Sequence, residues 1–281
     1  MEQNQDFASV HAYLCADGYV IRNQEIGKKY YYVGLRNMNI VLLKDFQKKC
    51  RNVFGINPII TRQKDRCKFQ NKEICLKLLA DFGSFHSHKW SMPKMSRKEL
   101  SSWLRSYFDC DGWASLVKAK DRKIGLDSVN YIGLKNIQKS LKPFGITSSV
   151  HPRKARSIWN LSICGKDDLI KFRDEIGFLH PNKKRKLEEA IGSYMDYNWK
   201  VPEDKYKLTK FLKEKGRKNL QRKEIRFNSI IKFNLEDLHS KLSKYKVESR
   251  LNGPWKNPYG SKWYCLSINL RELNKLRGGE S

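Results

Sequence analysis

The chain has 281 residues, 40% of them hydrophobic, and carries 57 Lys and Arg against 29 Asp and Glu, a net charge near +28. This apolar content excludes a wholly disordered chain. The excess of cations selects a polyanionic partner, nucleic acid first, because neutralised phosphates release counterions. No run of 18 apolar residues is present to span a bilayer, the N-terminus lacks a signal-peptide pattern, and the seven cysteines include no C-x-x-C pair; a soluble intracellular protein without structural zinc is expected.

In chain order, Val10 to Gly18 reads V-H-A-Y-L-C-A-D-G. A hairpin is predicted next, Tyr19–Asn23 and Lys28–Arg36, then a helix over 39–53 closing at Phe54-Gly55-Ile56. A second hairpin, Ile59–Gln63 and Arg66–Gln70, precedes a helix over 72–82 and the stretch Gly83-Ser84-Phe85-His86-Ser87-His88-Lys89. After a short joining segment, Ser96 and Glu99 form a capping-box pattern that starts a helix. Leu100, Trp103, Leu104, Tyr107 and Phe108 give that helix an apolar face, and it runs out in Asp109-Cys110-Asp111-Gly112. A carboxylate at a helix C-terminus meets the negative end of the dipole and calls for a cation.

The same order then returns. Strands are predicted at Trp113–Lys118 and Ile124–Ser128, and a helix over 131–142 ends at Phe144-Gly145-Ile146. Strands at Ser148–His151 and Ser157–Ile163 and a helix over 166–175 follow, and then Gly177-Phe178-Leu179-His180-Pro181-Asn182-Lys183. Val10–Gly18 superimposes without a gap on Leu104–Gly112, and Asp17 to Gly83 and Asp111 to Gly177 are both 66 residues. Each of those glycines is followed three residues later by a histidine, His86 or His180, for which a structural role in a loop is expected. The chain is therefore an internal repeat of α+β class, because its strands run as hairpins and not as βαβ crossovers.

Both motif segments resemble the LAGLIDADG motif of homing endonucleases; the first departs from the second by carrying Cys15 where the second has Asp109. The resemblance implies two pseudo-symmetric αββαββα half-domains, residues 1–83 and 96–199 joined by a linker at 84–95, which form a β-saddle over DNA. It further implies a monomeric, sequence-specific double-strand DNA endonuclease with a long asymmetric target, serving intron homing. Asp17 and Asp111 would be catalytic and would share two or more Mg2+ ions, with the backbone oxygens of Ala16 and Cys110 as further ligands. By the same analogy a basic residue stands near each metal: Arg36 in the first half, and Lys118, Lys120 or Lys123 in the second, where Ser128-Val129-Asn130 offers none. This inequality makes unequal cutting of the two strands an expectation.

DNA contacts are expected along the hairpins, at Arg22, Asn23, Lys28, Arg36, Arg62, Gln63, Lys64, Arg66 and Lys68, and at Lys118, Lys120, Arg122, Arg153, Lys154 and Arg156. A two-stranded ribbon fits the major groove, although at least half of protein–DNA hydrogen bonds go to the backbone. The alternative is a non-catalytic binder on the same fold, an intron RNA maturase or a DNA-binding regulator. Two intact aspartates favour the enzyme. The ends of the chain carry neither a starting nucleophile nor a terminal His-Asn, so an intein origin is not expected.

Residues 200–281 form a basic C-terminal α/β extension. Trp263-Tyr264-Cys265-Leu266-Ser267-Ile268 is similar to Trp159-Asn160-Leu161-Ser162-Ile163 with one residue inserted. Two readings stand side by side: a third, decayed half-unit that has lost its motif helix, or an unrelated small DNA-binding module.

Overall fold

The computed structural model describes residues 4–25, 29–117, 121–153, 157–194, 198–256 and 262–277. The chain divides into two compact units, Met1–Tyr194 and Met195–Ser281, each with its own apolar core. No described helix is long and apolar enough to cross a membrane.

The first unit runs α1 (Gln5–Cys15), β1 (Gly18–Asn23), β2 (Tyr30–Arg36), α2 (Ile40–Phe54), β3 (Ile59–Ile60), β4 (Arg66–Gln70) and α3 (Lys72–Phe82). The order repeats as α4 (Arg97–Asp111), β5 (Gly112–Val117), β6 (Asp121–Ser128), α5 (Tyr131–Leu141), β7 (Ser149–Arg153), β8 (Ile158–Cys164), α6 (Lys166–Glu175) and α7 (Pro181–Gly192). The two antiparallel sheets have the same strand order, β1-β2-β4-β3 and β5-β6-β8-β7. The architecture is the expected α+β repeat.

Local chemistry sets the helix ends. The capping box forms: Glu99 N donates to Ser96 Oγ at 3.4 Å, and Ser96 N donates to Glu99 Oε2 at 2.6 Å. Asparagine side chains cap α1, α2, α3 and α5. Gly55 and Gly145, the centres of the two Phe-Gly-Ile triplets, both take left-handed φ near +66°, which side chains resist. The joining segment is anchored, for Trp90 is buried against Trp103 and Tyr107 and its carbonyl accepts from Asn130 Nδ2 at 2.8 Å.

The motif helices depart from the one-faced pattern. Every residue of α1 from Phe7 to Cys15 is buried, and α4 buries Ser106 and Asp109 besides its apolar stripe. A helix buried all round has neighbours on every side, and here α1 and α4 pack on each other while each also meets its own sheet. Fully burying side chains such as Tyr13, Trp103 and Tyr107 contributes about 2–3 kcal/mol each. Two polar bonds cross the pair: Trp103 Nε1 donates to His11 Nδ1 at 3.0 Å, and Ser9 Oγ donates to Ser102 O at 3.4 Å. The glycines after the motif aspartates serve space. Gly112 has ordinary extended angles, but an added Cβ would lie 2.4 Å from the Phe108 carbonyl oxygen; at Gly18 it would lie 2.7 Å from that of Tyr13.

The second unit runs α8 (Lys205–Lys215), β9 (Arg217–Asn219), β10 (Glu224–Ser229), α9 (Lys232–Lys244), β11 (Arg250–Lys256), β12 (Lys262–Asn269) and α10 (Asn274–Arg277), with strand order β11-β12-β10-β9. Helix α8 stands ahead of the first hairpin. It stops at Lys215 because Gly216 turns extended and starts a strand.

Burial lowers the His11 pKa from 6.5 to about 4, so the ring is neutral in the folded chain. Between those values the unfolded chain takes up a proton that the folded chain refuses, and stability falls as pH drops from 6.5 towards 4. Against His11→Gln, which keeps an acceptor for Trp103 but does not titrate, the unsubstituted protein should lose up to about 3 kcal/mol over that window. Urea unfolding of both proteins at pH 7, 5.5 and 4 checks this.

Candidate metal and nucleic-acid site

Asp17 follows the α1 C-cap, and Asp111 is the last residue of α4. Because α1 and α4 pack side by side, their C-terminal tips bring the two carboxylates together. Burial first, and the Asp17 charge second, push the Asp111 pKa up to about 7. The surroundings of the two differ. Asp17 Oδ2 accepts from Asn37 Nδ2 at 2.7 Å, whereas Asp111 has the Tyr107 side chain beside it, which favours its charged form. Tyr13, the repeat partner of Tyr107, turns away and donates to Asp45 Oδ2 at 2.8 Å. A cleft of about 240 Å3 opens beside Asp111, lined by Tyr107, Asp127 and Ser128 among others.

A lysine reaches the same tip. Lys183 Nζ, on the first turn of α7, donates to the carbonyls of Phe108, Asp109 and Cys110 at 3.1, 2.6 and 2.9 Å. The last two are orphan acceptors of the helix end, whereas Phe108 O also accepts from the Gly112 N–H, and the dipole there favours a cation. Asp109 completes the staple by accepting from the backbone N–H groups of Leu179 and His180 at 3.0 and 2.8 Å. Burial lowers the Lys183 pKa while the nearby carboxylates oppose the shift. In the first half the counterpart Lys89 is exposed, and Cys15, at the Asp109 position, lies 3.5 Å from His11 Nδ1 instead.

Two facing carboxylates at a dipole-negative tip suit a hard divalent cation. Among the described residues no group of three or more His, Cys, Asp and Glu surrounds them, so carbonyl oxygens and water would complete the shell. Ala16 is the C-cap of α1. The Cys110 carbonyl fits less well, because Lys183 holds it.

The basic residues of the hairpins separate by strand alternation. Asn23, Arg36, Arg66 and Lys68 share the sheet face opposite to that of the buried Val33, Leu35, Cys67 and Phe69, with Arg36 directly across from Arg66. Arg22 falls on the other face and bonds Gln24 at 2.6 Å. Arg62, Gln63 and Lys64 are exposed in the turn between β3 and β4. Arg36 lends Asp17 only its backbone N–H, at 3.1 Å to the carbonyl; the side chain that touches the carboxylate is the next residue, Asn37.

In the second half Arg122 points to the helix side, donates to Ser193 Oγ and O at 2.7 and 2.8 Å, and stacks on Tyr194. Arg153 pairs with Asp127 at 3.2 Å, and Lys123 with Asp121 at 2.9 Å. Lys28, Lys118, Lys120, Lys154 and Arg156 lie outside the described residues. Lys183 and Asn37 escaped sequence reasoning. The repeat aligned Lys183 with Lys89, but nothing local distinguished the stapled lysine from the exposed one.

Replacing Lys183 by Met removes a cation from the tip and leaves the Asp109 and Cys110 carbonyls without that donor, while Phe108 O keeps the Gly112 N–H. The Asp111 midpoint should rise above about 7, and stability should fall by about 2 kcal/mol, the scale of a charged hydrogen bond. A carboxyl NMR titration and urea unfolding read the two effects.

Comparison with known proteins bears on the same stretch. Residues 98–177 match the family model of the LAGLIDADG-like domain. A probable translation initiation factor IF-2 of Thermococcus kodakarensis is 41% identical over 96 residues, 34% of this chain and 8% of that protein. A replication factor C small subunit of Pyrococcus horikoshii is 28% identical over 177 residues, 62% of this chain and 18% of that one. The chain thus spans less than a fifth of the length of the curated relatives it matches. Among solved structures, variants of the homing endonuclease I-DmoI align at 15% identity with a TM-score of 0.47, covering 66% of this chain and 100% of that one. I-DmoI has also been determined in complex with DNA and Ca. Residues 98–177 are thus similar to the LAGLIDADG-like domain, in agreement with the resemblance first carried by Asp17-Gly18 and Asp111-Gly112.

Proposed function

We propose that this chain is a sequence-specific double-strand DNA endonuclease of the homing type, acting as a monomer on a long asymmetric duplex. The observation that carries the reading is the meeting of Asp17 and Asp111 at the α1–α4 tip, with the Asp111 pKa held near 7 by burial and by its partner's charge. A protein that only binds phosphate has no use for two carboxylates in such a place. Asp17 and Asp111 would hold Mg2+, which when bound supplies an activated water and neutralises charge on the scissile phosphates.

The residues around the aspartates orient them unequally. Asn37 fixes one oxygen of Asp17, while Tyr107 stands beside Asp111 and Lys183 occupies the Cys110 carbonyl. The two strands would accordingly be cut at different rates. Asn23, Arg36, Arg66 and Lys68 share one open sheet face, where arginine and amide groups can reach base edges and phosphates. Arg22 and Arg122 are left out of that surface.

The direct test is cleavage of a randomised duplex library in Mg2+, with Asp17→Asn and Asp111→Asn beside the unsubstituted protein. Defined double-strand cuts are expected, falling more than about a hundredfold or becoming single-strand nicks in the variants. Binding of duplex DNA or structured RNA without cutting, unchanged by either substitution, would make the chain a binder and sink the proposal. Protons also compete with the cation for Asp111. Divalent-ion affinity, measured calorimetrically, should be level above pH 7 and drop about tenfold per unit just below it.

A further inference from the structure

The second unit repeats the plan of each half of the first. In chain order its sheet reads β9-β10-β12-β11, first hairpin outside and second hairpin reversed, as in β1-β2-β4-β3. The junction of α8 and β9 repeats the α4–β5 junction in detail. Gly216 and Gly112 are both extended, at φ −80°, ψ 141° and φ −77°, ψ 161°, and each N–H returns to the carbonyl four residues back. An added Cβ would lie 2.7 Å from Leu212 O in one and 2.4 Å from Phe108 O in the other. Lys215 therefore stands where Asp111 does, and the carboxylate has become a cation.

Two further features separate this unit from the cutting halves. Helix α8 buries Leu208 and Leu212 in its own core but exposes Lys207, Lys210, Lys213 and Glu214, so it lacks the all-round burial of α1. The open sheet face is also arranged differently. One row crosses all four strands as Arg217, Arg226, Ser267 and Arg250, each directly opposite the next. The reverse face carries Ile225 with Ile268, and Phe227 with Leu266 and Leu251, packed into the core.

Like charges set opposite one another destabilise a sheet. Only Glu224 answers in this row, holding Arg226 Nε at 2.6 Å, while Arg217 and Arg250 are exposed. The rows on either side present amides: Asn219 and Asn269 flank Glu224, and Asn228 and Asn252 flank Cys265. Residues 195–281 hold 21 Lys and Arg against 10 Asp and Glu.

We infer that residues 205–277 are a third copy of the half-unit, unable to cut, whose arginine-crossed sheet grips duplex DNA. Arginine and asparagine together contact phosphates and base edges. A broad sheet suits the open major groove of B-form DNA better than the deep, narrow major groove of A-form RNA. Lys215 would meet a phosphate directly, at the place where the aspartates of the other copies would meet one through a cation.

The test uses the full chain and a random-sequence 30-bp duplex. Binding is measured against salt for the unsubstituted protein, for Arg217→Gln/Arg226→Gln/Arg250→Gln, and for the same three sites changed to Lys. Loss of the row should weaken binding and reduce the slope of log K against log salt by about 2 to 3, and the lysine variant should restore the slope. An unchanged slope in the glutamine variant overturns the inference. So does preferential binding of structured RNA that the same variant abolishes, since the ligand would then not be duplex DNA. Only the choice of DNA as ligand rests on the endonuclease reading. Cleavage plays no part in the assay, so a chain that proved unable to cut would still give either answer.

Discussion

Two helix C-termini end at one point, and each brings a negative dipole end and an aspartate. That convergence costs electrostatic energy, and much of the first unit answers it. The helices are held together by apolar burial on all sides and by the bonds from Trp103 to His11 and from Ser9 to Ser102. Neither strand following an aspartate could start where it does with a side chain in place of Gly18 or Gly112, since the helix backbone is already there. The remaining charge is met by Lys183 at the α4 carbonyls and by neutral donors on the carboxylates, Asn37 for one and Tyr107 for the other. An arrangement that still leaves Asp111 with a pKa near 7 has strong use for a cation.

The two halves solve the same problem with different residues. In the second half Asp109 and Lys183 tie α7 to the helix tip. In the first half the corresponding positions hold a buried cysteine and an exposed lysine. Tyr13 and Tyr107 occupy one motif position, yet Tyr13 serves Asp45, itself paired with Lys49, and Tyr107 serves Asp111. Identical topology thus supports two chemically different surroundings for the same carboxylate.

The second unit has the same element order around a different first helix. Its first helix buries one narrow apolar stripe, Leu208 and Leu212, and its exposed positions carry lysines. With Lys215 at the tip there is no clash of like charges to relieve, and no carboxylate to hold a metal. The glycine remains because its reason was steric. The sheet remains because its apolar face still covers a core, which leaves the outer face open to carry arginines.

Much of this was legible along the chain. The capping box at Ser96, the Phe-Gly-Ile helix ends, the hairpin order and the two Asp-Gly motifs follow from local periods, caps and backbone freedom, and a repeat doubles each signal. These local rules determined the α+β repeat and singled out Asp17 and Asp111. They also put Arg22 and Arg122 among the DNA contacts, because facing depends on register, and a shift of one residue along a strand reverses the face. Tertiary structure alone decided that Arg122 serves Ser193, that Asn37 and not the Arg36 side chain touches Asp17, and that Lys183 fills the carbonyls of α4. Those bonds join residues 20 to 75 positions apart. No local pattern encodes such a pairing; it arises only when the core has brought the elements together.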